Sequence, residues 1–310
     1  MSFNKIHLII NPKSAGGSAG RRWHEIESLL KENNIKDYSF QITGKQGDAT
    51  EFAKKALQEK VETIVVVGGD GTVSEVINGY CAIENSNQIA NIVILNMGTG
   101  GDFCRTLGVP SDPSLSIRKI HNGKEILVDV GKIRYTALGG TTKERFFNNI
   151  AGCGMAGAVV YDVNRSSKKF GAFSYYLGAL SNLFGYKNKE IKVKFDDYLE
   201  QTMTIVTLAV CNGQFFGGGM QINPEAHITD GLFNITVIED WNLAEKVLYS
   251  SKLYNGTILS CKNVKNYQAK KVIVEPTNPN DRIFIDSDGD DIGMIPLTAE
   301  IIPARVKFKI

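Results

Sequence analysis

The sequence predicts two domains, an α/β domain built on a parallel sheet and then a domain of antiparallel β-structure, with the change near residue 128. Short unbroken apolar runs alternate with helical spacing through the first third of the chain. From about Val128 the texture turns to period-two alternation bounded by turn residues. The length of 310 residues also favours two cores over one.

The first strand is "KIHLIIN" (5–11). A glycine-rich turn follows, and Trp23, Ile26, Leu29 and Leu30 then recur at helical spacing. "DYSFQIT" (37–43) reads as a strand and "GDATEFAKKALQE" (47–59) as a helix capped near Asp48. "TIVVV" (63–67) is the next strand, with a helix from Val73 to about Cys81. "NIVIL" (91–95) is another, leading through a further glycine turn into a helix. Ligands of such sheets bind beyond the carboxyl ends of the strands. Three glycine-bearing loops occupy that edge, at 11–20, 68–72 and 98–102.

The second domain is expected to use "EILVDVGKIRY", "RFFNNIAG", "IKVKFDD", "MTIVTLAVCNG", "LFNITVIED", "KKVIVEP" and "RIFIDSDG" as strands. One helical segment interrupts them, "SKKFGAFSYYLGALSNLFGYK" (167–187). Its aromatic and leucine residues with flanking Lys168, Lys169, Lys187 and Lys189 suit either a helix packed on the β domain or one dipping into an anionic bilayer.

Composition narrows the function classes. A net charge of +2 argues against a dedicated nucleic-acid surface. The five cysteines form no CxxC pair, which disfavours a disulfide framework or a zinc site and fits a reducing cytoplasm. The opening residues carry too short an apolar run for a signal peptide, and no later run approaches a membrane span. A cytoplasmic protein is expected, with peripheral contact at the inner membrane face left open.

The chemistry concentrates in the glycine loops. Gly68, Gly69 and Gly71 admit close approach of a large anion, and the following helix turns its unpaired N–H groups to the same space. Asp70 is out of place beside phosphates unless a Mg²⁺ neutralises both, or unless it steers a lysine or a nucleophile. The loop at 98–102 repeats the arrangement and adds Arg105; the loop at 11–20 contributes Asn11, Lys13 and Ser14. No GxxxxGK[ST] pattern occurs. Gly16 to Gly20 matches G-x-S-x-G formally, but Ser18 stands too far past the strand for a nucleophile elbow. "DSDGDD" (286–291) fails as a calcium loop because its glycine falls at the fourth place and its twelfth position is Leu297.

With "NPKSAGG" (11–17), "GGDGTVSEVINGY" (68–80), "GTGGDFCRTLGVP" (98–110), "NPEAHITDGLFNI" (223–235) and "DGDDIGMIP" (288–296) in this order, the chain resembles the bacterial diacylglycerol kinase-like lipid kinases, relatives of the sphingosine and ceramide kinases. The resemblance implies a Rossmann-like α/β nucleotide-binding domain of NAD kinase and phosphofructokinase type over 1–128, completed by a segment at about 297–310, and a β-sandwich lipid-substrate domain over 129–296. It implies an ATP site lined by Asn11, Pro12, Lys13, Ser14, Ala15, Thr43, Gly69, Asp70, Gly71, Thr72, Val73, Ser74, Glu75 and Thr99. Asp230 with the backbone carbonyls of His227 and Leu232 would match a Mg²⁺ site, and Asp290 the proton acceptor. Three positions depart from the pattern. Gly101 stands for an asparagine, Asn96 for a proline, and Asp290 for a glutamate one methylene longer, which shortens the reach on which general-base catalysis depends.

The expected activity is transfer of the γ-phosphoryl group of ATP to a lipid hydroxyl, most simply of diacylglycerol to give phosphatidic acid. Lys13 would supply positive charge and Asp70 and Asp290 catalytic carboxylates, in the cleft between the domains. Lys13 as a solvated turn lysine, Asp230 as a turn residue, and Asp290 and Asp291 as hairpin acids remain the plain alternatives. An NAD kinase-like enzyme acting on a soluble metabolite, and a lipid- or nucleotide-binding regulator without turnover, are the rival functions. The expected partners are a lipid substrate and a membrane surface, with no nucleic acid; a homodimer is left open.

Overall fold

The computed structural model describes residues 5–83, 90–165 and 185–310. The chain forms two compact units: Met1–Val130 with Pro303–Ile310, and Gly131–Ile302. The boundary expected at 128 thus falls between Val130 and Gly131. The return segment begins at Pro303 instead of 297, because residues 297–300 still pair within the second unit.

In the first unit, β1 (Ile6–Ile10), β2 (Tyr38–Ile42), β3 (Thr63–Gly68) and β4 (Asn91–Asn96) are all parallel, in the order β2-β1-β3-β4. All six residues of β3 are buried, as a central strand covered on both faces requires. Between the strands lie α1 (Ser14–Arg21), α2 (Trp23–Glu32), α3 (Asp48–Gln58) and α4 (Asp70–Cys81), and after β4 follow α5 (Asp102–Leu107) and α6 (Pro113–Asn122). Leu8, Ile10, Val65, Val67, Val93 and Leu95 pack with Ile26 and Leu30 of α2 and Ile117 and Ile120 of α6. The sequence did not announce α6; the Asp112 carboxylate caps it by accepting the Ser114 N–H, with Pro113 at its first turn. Because β1 lies between β2 and β3, connections leave it in opposite directions, and the crevice beyond the ends of β1 and β3 is the topological switch point.

The second unit adds β5 (Glu125–Thr136, begun in the first unit), β6 (Thr142–Phe147), β7 (Ile150–Gly154), α7 (Met155–Arg165), β8 (Lys189–Phe195) and β9 (Leu199–Cys211). After the short β10 (Phe215–Phe216) and β11 (Met220–Gln221) come β12 (Phe233–Glu239), α8 (Leu243–Tyr249), β13 (Val264–Ala269), β14 (Lys271–Pro276), β15 (Phe284–Ser287) and β16 (Asp290–Lys309). The pairing order is β13-β12-β9-β7-β15-β16, with β8 and β14 closing a second path from β9 to β16. Strands β9 and β16 therefore serve both layers of an antiparallel sandwich. Phe147, Phe195, Leu208, Phe233, Ile285 and Leu297 fill it. Helix α7, also not anticipated, lies on β15. A side chain at Gly157 would collide with the Phe284 carbonyl, and Tyr161 stacks on the Phe284 ring at 3.9 Å.

The helix expected over 167–187 lies, up to residue 184, outside the described residues. Among the described residues no helix is long and apolar enough to cross a membrane. The cysteines are free; Cys81, Cys104, Cys153 and Cys211 are buried.

Candidate active site

The loops that follow β1, β2, β3 and β4 share one edge of the first unit. Past β1, the Asn11 N–H donates to the Val67 carbonyl at 2.9 Å, and its side-chain amide to Thr72 Oγ1 at 2.9 Å. The Asn11 Oδ1 accepts the Lys13 N–H, while Lys13 Nζ donates to the Gly44 carbonyl at 3.1 Å. The exposed ammonium thus spans from the β1 loop to the β2 loop. Thr43, buried at the end of β2, donates its N–H to Ile10. Pro12 accepts the Gly20 N–H, and α1 is broken by a kink directly after Ser14. Ala15, Gly16 and Gly17 all have left-handed backbone, with Ala15 at φ 48°. For alanine this is strain of about 1–2 kcal/mol, stored at the mouth of the crevice.

Helix α4 begins at Asp70, three residues before the expected Val73, because Gly69 is extended and its carbonyl already accepts the Thr72 and Val73 N–H groups. The Gly-Asp-Gly-Thr stretch is therefore the first turn of the helix. It touches the loop after β4 through bare backbone: a Cβ built at Gly98 would lie 2.6 Å from the Gly69 Cα. Asp70 ties the two together. Its Oδ2 accepts the Asp102 N–H at 3.1 Å at the start of α5, and its Oδ1 is buried with no partner. Burial pushes the Asp70 carboxyl above its ordinary range, against the pull of the backbone N–H groups of Asp102, Phe103 and Gly101.

Not every residue that the resemblance places at the nucleotide is turned to it. Val73 and Ser74 are buried, so only their backbone could contribute. Both Glu75 carboxylate oxygens are spent on α3, accepting the Gly47 and Ala49 N–H groups at 3.0 and 3.2 Å. Glu75 fastens α4 to the N-terminus of α3, where a carboxylate is stabilised by the unpaired N–H groups. Gly71 and Thr99 are exposed.

In the second unit the Asp-Gly-Asp sequence is a tight hairpin between β15 and β16. Asp288 (φ 50°) and Gly289 (φ 83°) both have positive φ, as a two-residue hairpin turn demands. The Asp288 carboxylate accepts the N–H groups of Asn148, Asn149 and Ile150 at 3.0–3.1 Å, which makes it a structural pin. Asp290 is partly exposed, and its Oδ2 accepts from Arg145 Nη2 at 2.6 Å. Two residues before the turn, Asp286 is buried with its Oδ1 unpartnered. Burial first, and then the charges of Asp288 and Asp290, push its carboxyl up to about 7. Arg145 and Asp286 are the functional candidates that sequence reasoning missed. Only the alternation in "KERFF" and the crowding of acids in "DSDGDD" hinted at them.

His227 and Asp230 are exposed, and Asp230 Oδ1 accepts the N–H of Leu232 within its own turn. Among the described residues no group of three or more His, Cys, Asp or Glu side chains is arranged to hold a metal ion. The Asp230 turn offers one carboxylate and backbone carbonyls, a set that suits a hard cation keeping several waters. The orphaned Asp70 Oδ1 likewise fits a cation or a metal-bound water, since a buried oxygen without a donor is costly.

Fold and loops together define a two-unit protein with an α/β half that gathers its glycine loops at one sheet edge and a β-sandwich half. The sequence profile of the diacylglycerol kinase catalytic domain matches residues 5–133. That of the YegS C-terminal NAD kinase beta sandwich-like domain matches residues 149–309. A diacylglycerol kinase of Bacillus subtilis strain 168 is 28% identical over 295 residues, covering 94% of this chain and 91% of the relative. One from Staphylococcus epidermidis strain RP62A is 32% identical over 242 residues, 78% of this chain and 72% of the relative. A solved structure from Bacillus anthracis strain Sterne, provisionally described as a diacylglycerol kinase, superposes with a TM-score of 0.78 at 27% identity, over 99% of this chain and 95% of the other. The chain belongs to the diacylglycerol kinase family, and it is a lipid kinase.

Proposed function

We propose that this kinase transfers the γ-phosphoryl group of ATP to the free hydroxyl of diacylglycerol, giving phosphatidic acid. The observation that carries the phosphate half of this reading is the backbone-to-backbone contact of Gly69 and Gly98, with the unpartnered Asp70 Oδ1 beside it. Two loops that meet at glycines leave N–H groups and room for an anion, and a lone buried carboxylate oxygen there suits a cation that accompanies that anion. The choice of diacylglycerol rests on what the relatives are named.

In this reading the hydroxyl oxygen of the lipid forms a bond to the γ-phosphorus, the bond from that phosphorus to the β–γ bridging oxygen breaks, and ADP leaves. Lys13 supplies positive charge to the phosphates, and Asn11 and Thr43 hold the β1 and β2 ends in place. Asp290 takes the hydroxyl proton, held in orientation by Arg145. Mg²⁺ would be held at Asp70, and a second ion at Asp230 with the carbonyls of His227 and Leu232. Such an ion supplies charge neutralisation of the phosphates. Peripheral contact with an anionic bilayer would bring the lipid to the enzyme.

The test incubates the full chain with γ-labelled ATP, Mg²⁺ and diacylglycerol in mixed micelles. Label is expected in phosphatidic acid. Asp70→Asn should lower the rate on the order of 10²–10³-fold and Asp290→Asn on the order of 10²–10⁴-fold. Label in a soluble dinucleotide, or equal rates in both variants and the parent, would refute the assignment.

A further inference from the structure

We infer that Asn96 is the positioning residue of the loop after β4 and that its amide is the donor this loop presents to the nucleotide, in the place a side chain at position 101 would otherwise take. The inference rests on the nucleotide reading above. Asn96 is the last residue of β4, only partly buried. Its Oδ1 accepts the Gly98 N–H at 3.0 Å, which also fixes which end of the amide is oxygen, since a backbone N–H can only meet an acceptor.

The other end of that amide lies over Gly101. A Cβ built on Gly101 would stand 2.6 Å from Asn96 Nδ2. Gly101 itself has φ 64°, a conformation that glycine takes freely and asparagine tolerates. The backbone at 101 would thus accept an asparagine; the obstacle to one is the Asn96 amide. The two positions are a matched pair, one amide and one vacancy, and the amide comes from the strand instead of from the loop.

The consequence is local and chemical. By holding Gly98, Asn96 fixes the residue whose Cα rests against Gly69, and through it the join to the turn that carries Asp70. Among the described residues Asn96 Nδ2 donates no hydrogen bond to the protein. It stands at the carboxyl edge of the sheet, where ligands of parallel sheets bind. A two-proton donor at that edge suits the oxygen-rich face of a nucleoside triphosphate.

The deciding variant is Asn96→Asp, which keeps the shape and the acceptor for Gly98 and replaces the donor with a carboxylate oxygen. Binding of MgATP to the full chain is measured by calorimetry, kinetics with diacylglycerol give kcat and KM for ATP, and thermal melting is followed alongside. Asn96→Asp is expected to melt near the parent and to weaken MgATP binding by at least about tenfold, the worth of a hydrogen bond to a charged group, with KM moving more than kcat. Gly101→Asn should weaken binding by driving the Asn96 amide off Gly98. Adding Asn96→Ala should recover part of that loss, because the new amide then occupies the vacated volume. Asn96→Asp binding MgATP as the parent does, or a double variant whose loss is the product of the two single losses, overturns the inference. A folded parent that binds no MgATP removes the nucleotide reading, and the inference with it.

Discussion

At the scale of single residues, the carboxylates divide by what their oxygens touch. Asp288 has three backbone N–H groups and is a pin; Asp290 has Arg145 and partial exposure; Asp286 and Asp70 each keep one buried oxygen without a partner. The difference has a pH signature. The Asp286 carboxyl is raised to about 7, so near pH 5–6 the folded state keeps a proton that the unfolded chain has released. Its contribution to stability is therefore complete below the unfolded value near 4 and is lost as pH rises towards 7. Asp286→Asn should leave stability at pH 4 nearly unchanged and raise it at pH 8, by up to a few kcal/mol. Denaturant unfolding at the two pH values measures this, and a gain of equal size at both would contradict the assigned cause. Of the residue-level chemistry, Asp70 and Asp290 stand out in the sequence because Gly-Asp-Gly-Thr and Asp-Gly-Asp are distinctive strings. The pairings Arg145–Asp290 and Asn96–Gly101 do not, since they join positions with no periodicity linking them.

At the scale of elements, α3 and α4 approach through Gly79, where an added Cβ would collide with the Thr50 carbonyl and lie 2.9 Å from Ala53 Cβ. Alanine in a helix interior ordinarily gains about 1 kcal/mol over glycine. Here the sign reverses. Gly79→Ala should destabilise by about 1–3 kcal/mol, the usual cost of overpacking, read as a lower urea midpoint with unchanged slope. The strands of the first unit are legible in the sequence because each is an apolar run bounded by turn residues. The start of α4 at Asp70 and the existence of α6 and α7 are less so. The first depends on the extended backbone of Gly69, and α7 carries mixed small and apolar residues whose packing surface is assembled from β15, β7 and β9.

At the scale of the whole molecule, the chain leaves the first unit at Gly131 and returns to it at Pro303. The last eight residues complete the parallel sheet. Phe308 is buried beside Phe103 with ring centroids 5.6 Å apart, and Lys124 and Ile310 exchange backbone hydrogen bonds. Arg305 donates to the carbonyls of Cys81 and Ile83, satisfying groups at the end of α4. Phe308→Ala should cost about 3–5 kcal/mol and weaken MgATP binding while the second unit keeps its own unfolding transition in calorimetry. One unchanged transition would show that the return segment is dispensable. By itself the sequence determined the two architectures, the parallel edge with its glycine loops and the strings that carry the family, because hydrophobic period and turn chemistry are local properties of the chain. Only the tertiary structure decided where the first unit closes, that Glu75 serves α3, that Arg145 holds Asp290, and that the amide over Gly101 belongs to Asn96. Those are contacts that no local period of the chain specifies, and packing and hydrogen-bond satisfaction select them only once the backbone is folded.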